Sequence, residues 1–135
     1  MSKLDILKMF QQKELPRLFY GYKEITKSIL TSNDSIYAYL DLYCNENKLN
    51  NPYNKEQFSR TNFQYEDTLI CKITLLDSYI YLFFNKELDA LAYYFTLDTD
   101  KENIYYADHN LNISSHEMTS NDLDEAVLKL YTNKN

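Results

Sequence analysis

The sequence predicts an α+β fold: helices first, then a four- or five-stranded antiparallel sheet, then one C-terminal helix. Three observations predict it. Apolar residues recur at helical spacing in the first third, alternate in the second half, and return to helical spacing after residue 120. This order of helices and strands is typical of α+β proteins. We expect the helices to pack on one face of an antiparallel meander, and the whole chain, 1–135, to form a single domain.

The first part of the chain, about residues 1–45, is predicted to be helical. Pro16 is suited to the first turn of a helix, and apolar residues then step by four, three and four positions at Leu18, Tyr22, Ile25 and Ile29. This spacing places Tyr22 on the core face of one helix, and Gly21 marks a point where that helix can bend or where another backbone passes closely. The segment 36–43 fits either a helix or a strand, and the sequence leaves that choice open.

A loop is predicted at about 45–57, where Asn and Pro dominate and no periodicity survives. The sheet is then expected at about 58–114. Residues 68–76 alternate between apolar and polar, 79–84 are apolar on both faces, and turn residues recur about every ten positions. Further strands are predicted at 90–97 and 104–107, and another at 58–65.

The last element is predicted to be an amphipathic helix at about 121–132. Its apolar residues follow helical spacing, and Asp and Glu fill its first turn, where the helix dipole favours negative charge. The apolar residues of this stripe are Leu123, Ala126, Val127, Leu130 and Tyr131.

Charge is divided unevenly along the chain. Residues 1–65 carry nine Lys/Arg and seven Asp/Glu, whereas 66–135 carry five and thirteen, so net charges of +2 and −8 make up the total of −6. Because the acidic half is the predicted sheet, its charges are expected on one compact body that meets a partner with a basic surface. Direct binding of nucleic acid is not expected, since this charge repels phosphates.

The carboxylates of the predicted turns are the candidate partner-binding groups. Successive turns at the same end of a meander lie side by side, so these groups can form a patch that mimics the phosphate spacing of nucleic acid. Solvation of an ordinary surface is the competing interpretation. The candidate partner-binding residues are Glu87, Asp89, Asp98, Asp100, Glu102, Tyr105 and Asp108.

The fourteen tyrosines have three interpretations: an exposed protein interface, a buried core and codon bias. Tyr39 and Tyr93, like Tyr22, are expected on core faces. Tyr79, Tyr81, Tyr94 and Tyr105 are expected on the opposite face of the sheet, where exposed rings would favour a protein interface. If helices cover both faces of the sheet, those rings belong to the core instead. A codon bias of an AT-rich genome also explains the tyrosine excess.

No motif for catalysis or for a cofactor is recognised. The single glycine excludes the phosphate-binding loops that depend on several glycines. His109 and His116 do not match a known metal spacing, and Cys44 and Cys71 lack a neighbour at metal or redox spacing. We therefore predict no metal, no cofactor and no enzymatic activity. No stretch is long and apolar enough for a membrane span, so a reducing, cytoplasmic location is expected.

In composition, though not in any motif, the chain resembles small acidic inhibitors of phages and mobile elements. Examples are DNA-mimicking and anti-CRISPR proteins, and the chain is also similar to immunity proteins that neutralise a paired toxin. The resemblance implies a non-enzymatic inhibitor that blocks the basic groove of a nucleic-acid-processing enzyme. The alternative is an immunity protein that neutralises a paired bacterial toxin. A small enzyme or ligand-binding domain with a pocket between helices and sheet is the further alternative, and a homodimer is left open.

Overall fold

The computed structural model describes residues 2–32, 34–75, 77–97 and 102–133. The described helices are α1 (Ile6–Gln11), α2 (Glu14–Gly21), α3 (Lys23–Thr31), α4 (Asp34–Asn47) and α5 (Leu123–Asn133), with a 3₁₀-helix at Lys55–Gln57. The strands are β1 (Ser2–Lys3), β2 (Leu49–Asn50), β3 (Ser59–Tyr65), β4 (Thr68–Thr74), β5 (Ser78–Phe84), β6 (Ala90–Leu97), β7 (Asn103–Ala107) and β8 (Ile113–Glu117). The predicted α+β class, N-terminal helices, antiparallel sheet and C-terminal helix are confirmed.

The main sheet is an antiparallel meander of six strands in the order β3-β4-β5-β6-β7-β8. The prediction of four or five strands was therefore wrong. The strand that it omitted is β8, whose sequence Ile-Ser-Ser-His-Glu has one apolar residue and no alternation. Its pairing with β7, from Ile113 opposite Ala107 to Glu117 opposite Asn103, supplies the order that its own side chains do not encode.

The chain breaks its helix at Gly21 and Tyr22 rather than bending it. α2 ends at Gly21, and Tyr22 has φ −130° and ψ 87°, outside the helical region, before α3 begins at Lys23. A Cβ atom at Gly21 would meet nothing within 4 Å, so close packing does not require glycine there. The segment 36–43, which the sequence left ambiguous, lies within α4 and is helical.

The region between α4 and the sheet contains more structure than a loop. β2 pairs in parallel with β1, which joins Leu49 to the N-terminal Ser2. Asn54 then caps the 3₁₀-helix reciprocally with Gln57, and the Asn54 N–H donates to Gln57 Oε1 at 2.9 Å. Tyr53 is 8% exposed and belongs to the core, so this segment closes one side of the helical layer.

Helices cover both faces of the sheet, so the expectation of helices on one face was wrong. α1 to α4 bury one face, which we call the helical-layer face and which includes Cys71, Ile80, Leu82 and Phe95. α5 packs Ala126 and Val127 on the opposite face, which we call the α5 face, against residues that include Ile70, Tyr81, Phe83, Tyr94 and Ile104. β5 and β6 are buried along both faces, and that double apolar character requires a cover on each side.

The central tyrosines consequently belong to the core. Tyr81 and Tyr94, on the α5 face, are 1% and 0% exposed, and Tyr93 on the helical-layer face is 2% exposed. The condition under which these rings cannot serve as an exposed interface is therefore met. In the described part of the chain, no helix combines the length and the apolar character that crossing a membrane demands.

Candidate protein-binding surfaces

The predicted turn carboxylates lie at opposite ends of the sheet. The turn after β5 holds Glu87 and Asp89, and the turn after β7 holds Asp108, so these three lie at one end. Glu102 precedes β7 at the other end, roughly 20 Å away for strands of this length. Asp98 and Asp100 lie outside the described residues. The seven predicted residues therefore do not form one patch through the part of the chain that is described.

Two of these carboxylates stabilise local structure. The Lys23 ammonium donates to Asp89 Oδ1 at 2.8 Å, and this hydrogen bond, together with one from Asn85, holds the pKa of Asp89 below its usual range. Asp108 Oδ1 accepts hydrogen bonds from the Asn110 and Asn112 backbone amides, both at 2.9 Å, and so shapes the turn before β8.

The remaining predicted residues divide between surface and core. Glu87 is exposed at the tip of its turn. Tyr105 was expected on the face opposite Tyr93, and that expectation was wrong: Tyr105 pairs with Phe95, so it lies on the helical-layer face, packs against the core there and is only partly accessible. Glu102 is exposed, and its carbonyl accepts a hydrogen bond from the Met118 amide at 2.7 Å. Binding of a partner by these residues stays a prediction.

The histidines and cysteines have structural surroundings. His109 Nε2 lies 2.8 Å from the Ala90 carbonyl oxygen, and its ring centroid lies 4.6 Å from that of Tyr20. Within the described ranges, no three His, Cys, Asp or Glu side chains gather as metal ligands do. Burial raises the pKa of Cys71 to about 12 and also raises that of Cys44, which keeps both thiols protonated and weakly nucleophilic near neutral pH.

A cleft of about 280 Å³ lies where α5 begins, between the helix and the sheet. Tyr79, Leu97, Met118 and Leu123 line it together with polar groups of neighbouring residues. It is open to solvent, and the Thr96 hydroxyl at its wall already donates to the Asn103 carbonyl at 3.4 Å. Its lining contains neither His109 nor His116, and a small enzyme or ligand-binding domain with a pocket between helices and sheet stays a prediction.

Exposed apolar side chains concentrate instead at α4 and at the beginning of α3. Of the four large ones that are exposed in the described chain, three belong here: Tyr22 at 57%, Ile25 at 36% and Leu42 at 57%. Exposed apolar groups that cluster on one surface mark interaction sites more often than single ones do.

A hydrogen bond between the two helices brings these residues together. Ser35 Oγ, at the start of α4, donates to the Ser28 carbonyl near the end of α3 at 3.1 Å. Ile25 lies one turn before Ser28, and Tyr39 lies one turn after Ser35, so both follow the same seam in opposite chain directions.

The tyrosines continue this seam. Burial raises the pKa of Tyr39, and the Glu14, Glu46 and Tyr22 side chains in its surroundings raise it further. The Tyr39 and Tyr43 ring centroids lie 6.5 Å apart. We call the set formed by Tyr22, Ile25, Tyr39, Leu42 and Tyr43 the tyrosine surface.

Carboxylates border the tyrosine surface. Burial raises the pKa of Tyr43 to about 12, and the adjacent Glu14 carboxylate adds to the rise. Glu46 lies one turn beyond Leu42 on α4 and is exposed. A surface of tyrosine and leucine with acidic neighbours is suited to a protein partner that offers both apolar area and positive charge.

Sequence reasoning missed this surface for an identifiable reason. It placed Tyr22 on a core face by continuing one helical period through Gly21, whereas the break at Tyr22 turns that ring outward. Leu42 lies off the buried stripe of α4, which contains Ile36, Leu40 and Cys44. An apolar residue off the stripe was the available signal.

Comparison with known proteins adds no relative. No family model, no curated protein and no solved structure matches this chain.

Proposed function

We propose that this chain is a non-enzymatic, protein-binding inhibitor that docks on a basic surface of its target through the tyrosine surface. The observation that carries the proposal is the concentration of exposed Tyr22, Ile25 and Leu42 on one helical seam, with the Glu14 and Glu46 carboxylates beside it. Tyrosine supplies a large apolar area with a polar tip, which is the side-chain character that dominates binding energy at protein interfaces.

The charge of the chain supports a basic target. The net charge is −6, and carboxylates that border an apolar surface steer a positive partner and repel a negative one. Enzymes that process nucleic acids carry basic grooves for phosphate, and they are the class of target that we propose. The exposed Glu87 and Glu102 at the two sheet ends provide additional long-range attraction.

A comparison of three variant groups tests the proposal. The immobilised protein is incubated with host lysate, and retained proteins are eluted in a salt gradient and identified. Tyr22→Ala with Leu42→Ala removes the two most exposed apolar side chains of the tyrosine surface, and Glu87→Lys with Glu102→Lys removes turn charge. Tyr65→Ala is the control, because Tyr65 is also an exposed tyrosine, at 37%, but lies on β3.

The expected result is one basic protein that the wild type and Tyr65→Ala retain and that the double alanine variant loses. The turn variant should retain it but release it at lower salt, because the turn charges act at long range. Retention by the double alanine variant, with loss in the turn variant alone, would contradict the tyrosine surface and return the binding site to the turns.

A further inference from the structure

β3 is an edge strand with an open outer side. It pairs with β4 on one side, and no other strand of the described residues pairs with it. Edge strands present unpaired N–H and C=O groups that another strand can bind. Which groups point outward follows from the hydrogen-bond pattern of the neighbouring strands.

Alternate residues of β4 bond to opposite sides. The Leu75 N–H donates to the Ser78 carbonyl at 2.9 Å, so the odd-numbered residues of this segment bond towards β5. The even-numbered residues of β4 therefore bond towards β3. Each of them is paired with an odd-numbered residue of β3, so the odd-numbered residues of β3 bond towards β4. The backbone groups of Arg60, Asn62 and Gln64 consequently point to the open edge.

This edge lacks the features that usually protect an edge strand. The seven residues of β3 contain no Pro and no Lys, and the register with β4 has no bulge. The one charged side chain, that of Arg60, is directed to the Ile29 carbonyl at 3.4 Å, and Asn62 Nδ2 donates to the Leu30 carbonyl at 3.1 Å. Both side chains bond to carbonyl groups near the C-terminal end of α3 and do not cover the outward-facing backbone groups of β3.

The opposite edge differs. β8 is shorter, with five residues, and it ends in Glu117, an exposed charge that opposes pairing with another strand. β3 is therefore the edge that the structure leaves open to a partner strand.

We propose that β3 pairs with β3 of a second copy of this chain, antiparallel, across a two-fold axis at Asn62. Asn62 then faces Asn62, and Arg60 of each copy faces Gln64 of the other, so no like charges are opposed. The three outward-facing residues of each strand exchange six backbone hydrogen bonds in total. Two sheets of six strands become one sheet of twelve.

The side chains of β3 favour a second copy over an unrelated strand. Across the same axis, Thr61 faces Phe63 and Ser59 faces Tyr65, on the α5 face of the sheet. Phe63 is partly buried and Tyr65 is 37% exposed, so pairing removes aromatic surface from water.

Sedimentation equilibrium of the full chain with charge-swap variants tests the pairing. Asn62→Lys and Asn62→Asp each place like charges opposite one another, so each alone should weaken the dimer at least about fivefold. Mixing the two variants in equal amounts should restore a dimer, because opposite charges then face each other. Ser115→Lys on β8 is the matched control and should dimerise as the wild type does.

Gln64→Pro provides a second test that leaves the contact with α3 intact. It removes one outward N–H from each copy, which should weaken the dimer about tenfold or more. Circular dichroism of each variant verifies the fold. A wild-type chain that stays monomeric at the highest concentration it tolerates would overturn the proposal, as would dimers of Asn62→Lys as strong as those of Ser115→Lys.

Discussion

The two faces of the sheet are held by different means. On the helical-layer face, four helices bury a continuous apolar cluster in which the Phe10 ring centroid lies 5.1 Å from that of Tyr93 and 5.3 Å from that of Phe95. On the α5 face, one helix of eleven residues lies across the sheet, and its fully buried contacts are limited to Ala126 and Val127. A smaller apolar area must there be supplemented by other interactions.

A polar cluster supplies that supplement. The Tyr81 hydroxyl donates to Asp124 Oδ1, and the Lys72 ammonium donates to the same oxygen at 2.9 Å. The Lys72 nitrogen also lies 5.3 Å and 5.5 Å from the ring centroids of Tyr79 and Tyr81. The comparison shows that burial of apolar area holds the helical layer on the sheet, whereas a few hydrogen bonds and cation–π contacts help to hold α5 there.

The largest effect is expected on the helical-layer face. Phe10→Ala removes a fully buried ring and should lower the free energy of unfolding by about 3–5 kcal/mol, through lost burial and the cavity left behind. Urea unfolding measures it, and Leu7→Ala, a partly buried position in the same helix, is the control with a smaller expected loss. A loss below about 1 kcal/mol for Phe10→Ala would contradict the role assigned to buried area on this face.

A smaller effect is expected when the polar cluster is cut. Asp124→Ala leaves the buried Tyr81 hydroxyl and the Lys72 ammonium without their acceptor, and should cost about 2–3 kcal/mol. Hydrogen exchange of Asp124→Ala, compared with the wild type, should be accelerated more at the amides of α5 than at those of α1 to α4. Equal acceleration in both regions would show that the two faces do not open independently.

The contribution of Asp124 should also depend on pH. Burial alone would raise the pKa of Asp124, but hydrogen bonds from Tyr81 and Lys72 outweigh it and lower the pKa below its usual range. A depressed folded-state pKa stabilises the fold above the unfolded-state pKa, about 3.9, and that stabilisation is lost as pH falls through the folded-state pKa. The stability difference between wild type and Asp124→Ala should therefore be constant near neutral pH and shrink below about pH 4. An unchanged difference in acid would show that the Asp124 charge contributes nothing.

The sequence predicted the fold class because each region has a clear hydrophobic period. The strands from β4 to β6 alternate or are wholly apolar, and α5 follows helical spacing, so both were predictable without tertiary information. β8 was not, because its order comes from pairing with β7 rather than from its own side chains. The stretch 79–84, which is apolar on both faces, was the sequence feature that indicated helices on both faces of the sheet.

The surface residues were less predictable than the fold. Whether a turn carboxylate is exposed or bonded depends on tertiary neighbours, as the Lys23–Asp89 contact across 66 positions illustrates. Tyr22 required knowledge of the helix break, since one non-helical residue rotates every later side chain relative to the earlier stripe. Local spacing does not carry either kind of information.

A change of opposite sign is expected at Tyr94, which also distinguishes the two faces. Its hydroxyl is buried on the α5 face and has no hydrogen-bond partner among the described residues. Tyr94→Phe removes that unpaired group while the ring keeps its contacts with Phe83 and Tyr106, so stability should rise by about 1 kcal/mol. Thermal and urea unfolding measure the gain, and a loss of stability would indicate a hidden partner for the hydroxyl.

The smallest effect is expected at Glu125, the neighbour of Asp124 on α5. Its carboxylate lies 3.6 Å from the Lys129 ammonium, but both side chains are more than half exposed, so solvent screens the pair. Glu125→Gln should change the free energy of unfolding by less than about 0.5 kcal/mol. Two adjacent carboxylates on one helix then differ severalfold in their effect on stability. Asp124 accepts hydrogen bonds from side chains of the sheet, whereas Glu125 faces water. Equal losses at both positions would assign the role of Asp124 to general helix electrostatics rather than to Tyr81 and Lys72.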